Sequence, residues 1–267
     1  MIFILGSPRT GSTLIYQIMI DFYDLFYFTN LTNNYFYKHP FVGSLFSMPF
    51  IGKIGYKSDH GKTKGFFGPS EGSYIFKNWF GLGNELLSGQ KNHIVNTFKN
   101  ISKFTNKPIV IKNAWNCFRI KSINKIFPAA KFVWIRRDII SSAYSDLQAR
   151  YLGGSPYTWN SAHTSNYKQI QKQPYWEQVV EQQYEYNRLI EIDLKKFCPH
   201  NYIEVWYDQL GSNLEQQINL ISNFFRFKKH KSIIPKFKIK KYSDGTDFFK
   251  ILKYVENNHV RFERYVR

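Results

Sequence analysis

The clearest chemistry in this chain sits in Gly6-Ser7-Pro8-Arg9-Thr10-Gly11-Ser12-Thr13, directly after the apolar run Met1–Leu5. Its two glycines have the GxxxxG spacing of a phosphate-cradling loop. Such a loop turns backbone N–H groups inward, and the helix that follows favours an anion at its N-terminus. The lysine that would reach the β- and γ-phosphates of ATP is absent, and Ser12 stands where it would be. Arg9 lies inside the loop instead, and a guanidinium fork matches a pair of oxyanions better than a point charge does. The pattern predicts a cradle for one short anionic group rather than a triphosphate, with Arg9, Thr10, Gly11, Ser12 and Thr13 as its ligands.

A second anion site is written in Phe132-Val133-Trp134-Ile135-Arg136-Arg137-Asp138 and in Ser145. Arg137 falls at the end of an apolar strand, where α/β sheets bind ligands. Ser145 follows about two turns into the next helix, and an arginine and a hydroxyl converging there suit a monophosphate. Neighbours at a strand end point opposite ways, so Arg136 and Arg137 do not both serve it, and the register favours Arg137. Lys112 closes another strand, Pro108–Ile111, on the same edge. A reacting hydroxyl needs a proton acceptor, and Glu71 in a desolvated pocket would supply one. His60, His93 and His163 are alternative bases that no spacing selects.

These segments resemble the PAPS-dependent sulfotransferases, which carry a sulfuryl group from 3′-phosphoadenosine 5′-phosphosulfate (PAPS) to an acceptor. Ser7–Thr13 resembles the family's 5′-phosphosulfate loop, most closely in its bacterial and tyrosylprotein-like members. Arg137 and Ser145 match the arginine and serine of its 3′-phosphate motif, with Ile139 where many members have proline. Lys112, and the run through Phe127-Pro128-Ala129-Ala130 to Arg137, resembles a segment whose lysine lies near the bridging oxygen of the donor. Asn113-Ala114 departs from the usual Ser/Asp-Pro. Gly68-Pro69-Ser70-Glu71 resembles a Gly-Pro-Gln-Glu segment, and Val205–Leu210 a late segment whose tyrosine, here Tyr207, holds the adenine side. The resemblance covers roughly residues 1–28, 65–75, 107–150 and 176–225. It implies a P-loop-NTPase-like α/β fold. It also implies a metal-free reaction with PAPS as co-substrate and the bisphosphate PAP as product. The catalytic set would be Arg9, Glu71 and Lys112. The acceptor would be a hydroxyl of a glycan or glycolipid, with peptide tyrosine and small metabolites still open.

The elements that must position these groups alternate. Strands are expected at residues 1–5, 108–111, 131–135 and 202–206. Helices are expected at 13–28, 73–87, 92–105, 114–127, 139–151, 175–197, 213–225 and 247–265. Such alternation predicts one mostly parallel sheet covered by helices on both faces, in a single domain spanning residues 1–267. Segments 29–64 and 151–174 read as aromatic, loop-like insertions (Tyr35, Phe36, Tyr37, Phe41, Tyr157, Trp159, Tyr167), expected to wall or cover an acceptor site. The Lys-rich stretch 228–241 reads as a loop.

Composition sets the outer bounds. The 267 residues carry 43% apolar side chains, a globular proportion, and no apolar run long enough to span a bilayer. The opening run is too short for a signal-peptide core, so a cytoplasmic protein is expected. Two cysteines without a CxxC or a Cys/His cluster argue against a disulfide framework and structural zinc. The net charge of +18 fits anionic ligands, but a bias toward Lys, Asn, Ile, Phe and Tyr would raise it as well. Two other classes compete. A P-loop kinase is opposed by the missing lysine. A basic nucleic-acid-binding protein has no helix-turn-helix, RNP or finger pattern behind it, so no nucleic-acid partner is expected. Peripheral membrane contact stays open.

Overall fold

The computed structural model describes residues 1–52, 58–59, 62–230, 235, 237, 239 and 242–267. In chain order the elements are β1 (Ile2–Leu5), α1 (Ser12–Phe22), α2 (Asn30–Tyr35), α3 (Pro40–Ser47), β2 (Ser58–Asp59), β3 (Lys62–Thr63), α4 (Ser73–Phe80) and α5 (Gln90–Thr105). Then come β4 (Val110–Lys112), a 3-10 turn (Ala114–Phe118), α6 (Ile120–Ile126), β5 (Lys131–Arg136), α7 (Ile139–Leu152), α8 (Tyr167–Ile170) and α9 (Tyr175–Phe197). The chain closes with β6 (Tyr202–Trp206), α10 (Tyr207–Ser212), α11 (Leu214–Phe225), α12 (Thr246–Asn257) and α13 (His259–Phe262).

Four strands form a parallel sheet in the order β4-β1-β5-β6. Both faces of this sheet are covered, so its strands are largely apolar, with charged residues mostly at their ends and Glu204 within the edge strand β6. Successive side chains still part to opposite faces. Phe3, Leu5, Ile109, Ile111, Phe132 and Trp134 enter one core with α4, α5, α6 and α9. Ile2, Ile4, Val110, Val133, Ile135 and Val205 enter another with α1 and α11. A third cluster joins α7 and α9 to α12 and α13 through Ile139, Ala143, Val180, Ile251 and Phe262.

The first helix is shorter than the apolar spacing predicts. It stops at Phe22, and Tyr23 is extended (φ −128°, ψ 150°). Leu25 and Tyr27 then enter one core while Phe26 and Phe28 enter the other, which is a period of two. Phe26 accordingly bridges Ile109 beside β4. An all-apolar run hides its period, and the tertiary pairing resolves it. Segment 29–64 also departs from the loop reading, since it holds α2 and α3. Asn30 enters α2 behind Thr29, whose side chain accepts from the backbone N–H of Thr32. Pro40 opens α3. The single helix expected over 114–127 is broken at Arg119 into the 3-10 turn and α6. Tyr175–Phe197 and Tyr202–Trp206 fall where the periodicity put them. Most of the Lys-rich stretch lies outside the described residues.

Candidate active site

A cleft of about 750 Å³ opens at the C-terminal edge of β1, β4 and β5, the edge at which α/β sheets take ligands. The loop after β1 makes its floor. Gly6 packs so tightly that a Cβ there would come within 2.7 Å of the Ile135 side chain. Gly11 caps α1 in the left-handed region (φ 85°), and the Tyr207 ring lies where a Cβ would be, 2.3 Å from its Cδ2. No other residue type meets both demands at that position. Arg9 also has a positive φ, 67°, a strained state for a residue with a side chain. Arg137 braces it by donating from Nη1 to the Arg9 carbonyl at 2.9 Å.

The predicted residues fall into place unequally. Arg9, Gly11, Ser12, Thr13, Glu71, Lys112, Arg137, Ser145 and Tyr207 all line this one cleft. Thr10 does not. Its hydroxyl is buried and donates to the Ser7 carbonyl at 2.7 Å, so it shapes the loop from behind. The two candidate anion-binding segments meet directly, with Arg9 Nε donating to Ser145 Oγ at 3.4 Å. Arg136 turns away from the cleft, pairs with Glu204 at 2.7 Å and stacks near Trp134 and Trp206. The Arg137 guanidinium lies 4.5 Å from the centre of the Tyr207 ring and 5.7 Å from that of Tyr242, in the range of cation–π attraction.

Glu71 reaches the cleft from the far wall. Its segment is pinned where the Ser70 N–H donates to the Phe28 carbonyl at 2.7 Å and Tyr16 Oη donates to the Ser70 carbonyl at 3.2 Å. The Glu71 carboxylate forms an ion pair with Lys112 Nζ at the end of β4. Asn113, next to Lys112 in the chain, ties the Glu71 segment to the 3-10 turn. Its Nδ2 donates to the Glu71 carbonyl at 3.0 Å, and its Oδ1 accepts from the Trp115 N–H at 3.0 Å. His93 lies elsewhere, with Nδ1 accepting from Trp79 Nε1 at 3.3 Å. His163 lines a second cleft rather than this one, and His60 lies outside the described residues.

Several cleft residues escape the sequence reading. Asp146 beside Ser145 is fully buried and takes Arg150 Nε at 3.1 Å. Burial pushes its carboxyl above the ordinary range, and the charges of Arg150 and Arg9 pull it back only in part. Arg150 in turn donates to Gln178 at 3.0 Å and Gln182 at 2.7 Å, which ties α7 to α9. Cys117 sits behind the loop, its thiol pushed up to about 12 chiefly by burial, so it is a packing residue and not a nucleophile. Trp115 and Tyr242 also face the cleft. Only Asp146 had a sequence signal, its place next to Ser145.

Among the described residues, no three His, Cys, Asp or Glu side chains gather as a metal-binding group. None of the described helices is long and apolar enough to cross a membrane.

The chain matches the model of the sulfotransferase family over residues 2–230, and it belongs to that family. No curated protein matches it in sequence. Among solved structures it is similar to sulfotransferase STF9 from Mycobacterium avium, with 12% identity, a TM-score of 0.56, and coverage of 96% of this chain and 67% of that one. It is similar to the sulfotransferase from Alicyclobacillus acidocaldarius, with 10% identity, a TM-score of 0.54, and coverage of 98% and 94%. A sulfotransferase domain from the curacin biosynthetic pathway gives 15% identity, a TM-score of 0.51, and coverage of 92% and 81%. At these identities the structural likeness speaks for the shared P-loop-NTPase-like fold. The family match makes the protein a sulfuryl-transferring enzyme.

Proposed function

We propose that the enzyme takes the sulfuryl group from PAPS and places it by in-line displacement on a hydroxyl of a glycan or glycolipid. The observation that carries this reading is the meeting of Arg9, Glu71, Lys112, Arg137 and Ser145 on one cleft from segments far apart in the chain. In this reading the N-terminus of α1, with Gly11, Ser12 and Thr13, holds the donor's 5′-phosphate. Arg137 and Ser145 hold the 3′-phosphate, and Tyr207 lies along the adenine side. The acceptor oxygen attacks sulfur. Its new S–O bond forms as the S–O bond to the 5′-phosphate breaks, and the electron pair leaves on PAP. Glu71 receives the hydroxyl proton. Arg9 and Lys112 counter the charge growing on the leaving oxygen, where fixed cations act most strongly. The Glu71–Lys112 pair supports this division of labour, because proton acceptor and cation stand side by side at one reacting centre. The flat face of Trp115 at the cleft wall suits a sugar ring.

A thermal-shift titration with PAP, ATP and AMP tests the donor site. A ligand that binds only the folded state stabilises it by about 2.7 kcal/mol at a hundredfold excess over its dissociation constant. PAP is expected to exceed both other nucleotides. Equal shifts would show that the 3′-phosphate is not recognised, and a larger shift with ATP would favour a kinase.

A further inference from the structure

A second cleft of about 560 Å³ adjoins the first. Trp115 lines both, and the chain crosses from one to the other twice. Cys117 faces the reaction cleft and Phe118 the second; Asn160, Ser161 and Ala162 face the first, and His163, Thr164 and Ser165 the second. The partition is held under tension. Ser161 has a positive φ of 77°, and Tyr186 fixes it by hydrogen bonds to Ser161 Oγ at 3.2 Å and to the Ala162 carbonyl at 2.9 Å. Strain of this kind persists where the surroundings enforce it, and it gathers at ligand sites.

The apolar part of the second cleft is formed by Trp115, Phe118, Leu82 and Leu189. Its outer loop is fixed by an unusual group. Arg119 is buried without an ion pair among the described residues. It donates from Nε to the Gly83 carbonyl at 3.0 Å and from Nη2 to the Gly81 carbonyl at 3.4 Å. Its guanidinium lies 4.6 Å from the Phe80 ring centre and 5.7 Å from that of Trp115. Burial alone lowers it to about 10. An arginine so placed ties Trp115 to the 81–83 loop, so both sides of the cleft are built rather than left as a gap. Polar residues stand among the apolar ones, Asn84, His163, Thr164, Ser165 and Asp193, though apolar surface is the larger share of the lining. Thr164 Oγ1 is buried with no hydrogen-bond partner among the described residues, and His163 lies flat on Tyr167 with ring centres 3.9 Å apart.

We infer that this second cleft receives the hydrocarbon portion of the acceptor, whose hydroxyl reaches past Trp115 to the reaction cleft. The inference rests on the donor reading above and narrows its acceptor class to amphiphiles of the glycolipid kind over bare glycans. A concave site whose surface is mainly apolar, with polar side chains set among it, is what a ligand with both a hydrocarbon and a hydroxyl-bearing part needs.

The test is calorimetric binding of methyl, butyl and hexyl β-D-glucosides below their micelle concentrations, with and without PAP. In the wild type each added methylene is expected to tighten binding roughly two- to fourfold, up to the ~0.8 kcal/mol of a buried methylene. Leu189→Trp, which fills the cleft, is expected to flatten that slope. Leu82→Glu, at an exposed loop position that folding tolerates, is expected to do the same. Leu220→Trp, on the exposed face of α11, keeps the wild-type slope. A slope absent from the wild type, or unchanged in both cleft variants, overturns the inference. Failure to bind PAP sinks the donor reading separately, because the slope is read without PAP as well.

Discussion

The two halves of the active site are built by different means. The proposed donor half stands on three strand ends: the loop after β1, Lys112 on β4 and Arg137 after β5. Each is a short local motif carried by a buried parallel sheet, whose strands fix their spacing. The proposed acceptor half draws on the 3-10 turn after β4, the loop after α4, the run 160–165 and one side of α9. No two of these are neighbours in sequence, and they are held by buried polar anchors such as Arg119, Arg150 and Tyr186. The contrast teaches that binding a fixed co-substrate and fitting a variable one place different demands on a chain. The first rewards contiguous, rigid elements, and the second is assembled from connections that can change without disturbing the sheet.

That contrast can be broken by mutation. The largest effect is expected at the seam between donor and acceptor. Glu71→Gln should lower kcat by roughly 10²- to 10⁴-fold, the range for losing a general base, while PAP affinity stays within about twofold by the same reasoning. Single-turnover transfer and PAP titration would check both, and a matched loss of PAP binding would place Glu71 in the donor half. Arg150→Met should cost stability instead, about 3–5 kcal/mol, because it strands the buried Asp146 carboxylate. Denaturant unfolding would read it.

Arg9→Ala is expected to reduce kcat by roughly 10²- to 10³-fold, the worth of one transition-state charge stabiliser. A wild-type rate would remove Arg9 from the chemistry. Arg137→Ala should weaken PAP by about 1.5–3 kcal/mol, the value of hydrogen bonds to a charged group, and leave AMP nearly unchanged. Equal losses for both nucleotides would show that Arg137 acts only by bracing the Arg9 carbonyl.

The smallest effect concerns two carboxyls that line neither cleft, Glu191 on α9 and Asp247 on α12. Burial acts to raise Glu191 and Asp247, yet hydrogen bonds outweigh it, from Lys195 and Tyr265 to Glu191 and from Tyr175 and Tyr151 to Asp247. Both carboxyls therefore lie below their ordinary values. The folded state binds their protons less readily than the unfolded chain does. Their stabilisation is complete above the unfolded values, about 4, and is lost as pH falls below them. Acid titration of the melting temperature should show the fall shrink in Glu191→Gln.

Much of this enzyme was legible in its residues. The GxxxxG loop with its inner arginine, the Arg137–Ser145 spacing and the apolar strand runs point to a P-loop-like parallel sheet with two candidate anion sites at its edge. They do so because each depends only on local backbone geometry and period. The sequence left undecided what depends on partners distant along the chain. Residues 23–28 read as helix until pairing with Ile109 made them extended. The motif names Thr10 without saying where its hydroxyl points, and the folded loop turns it inward to the Ser7 carbonyl. Asn113, a departure from the family pattern, became the clamp on Glu71. The second cleft has no motif at all, since its walls come from four separate segments that only folding brings together. Local chemistry is thus a property of the sequence here, while the shape offered to the acceptor belongs to the tertiary structure, because burial and long-range contacts decide which faces of ordinary residues meet.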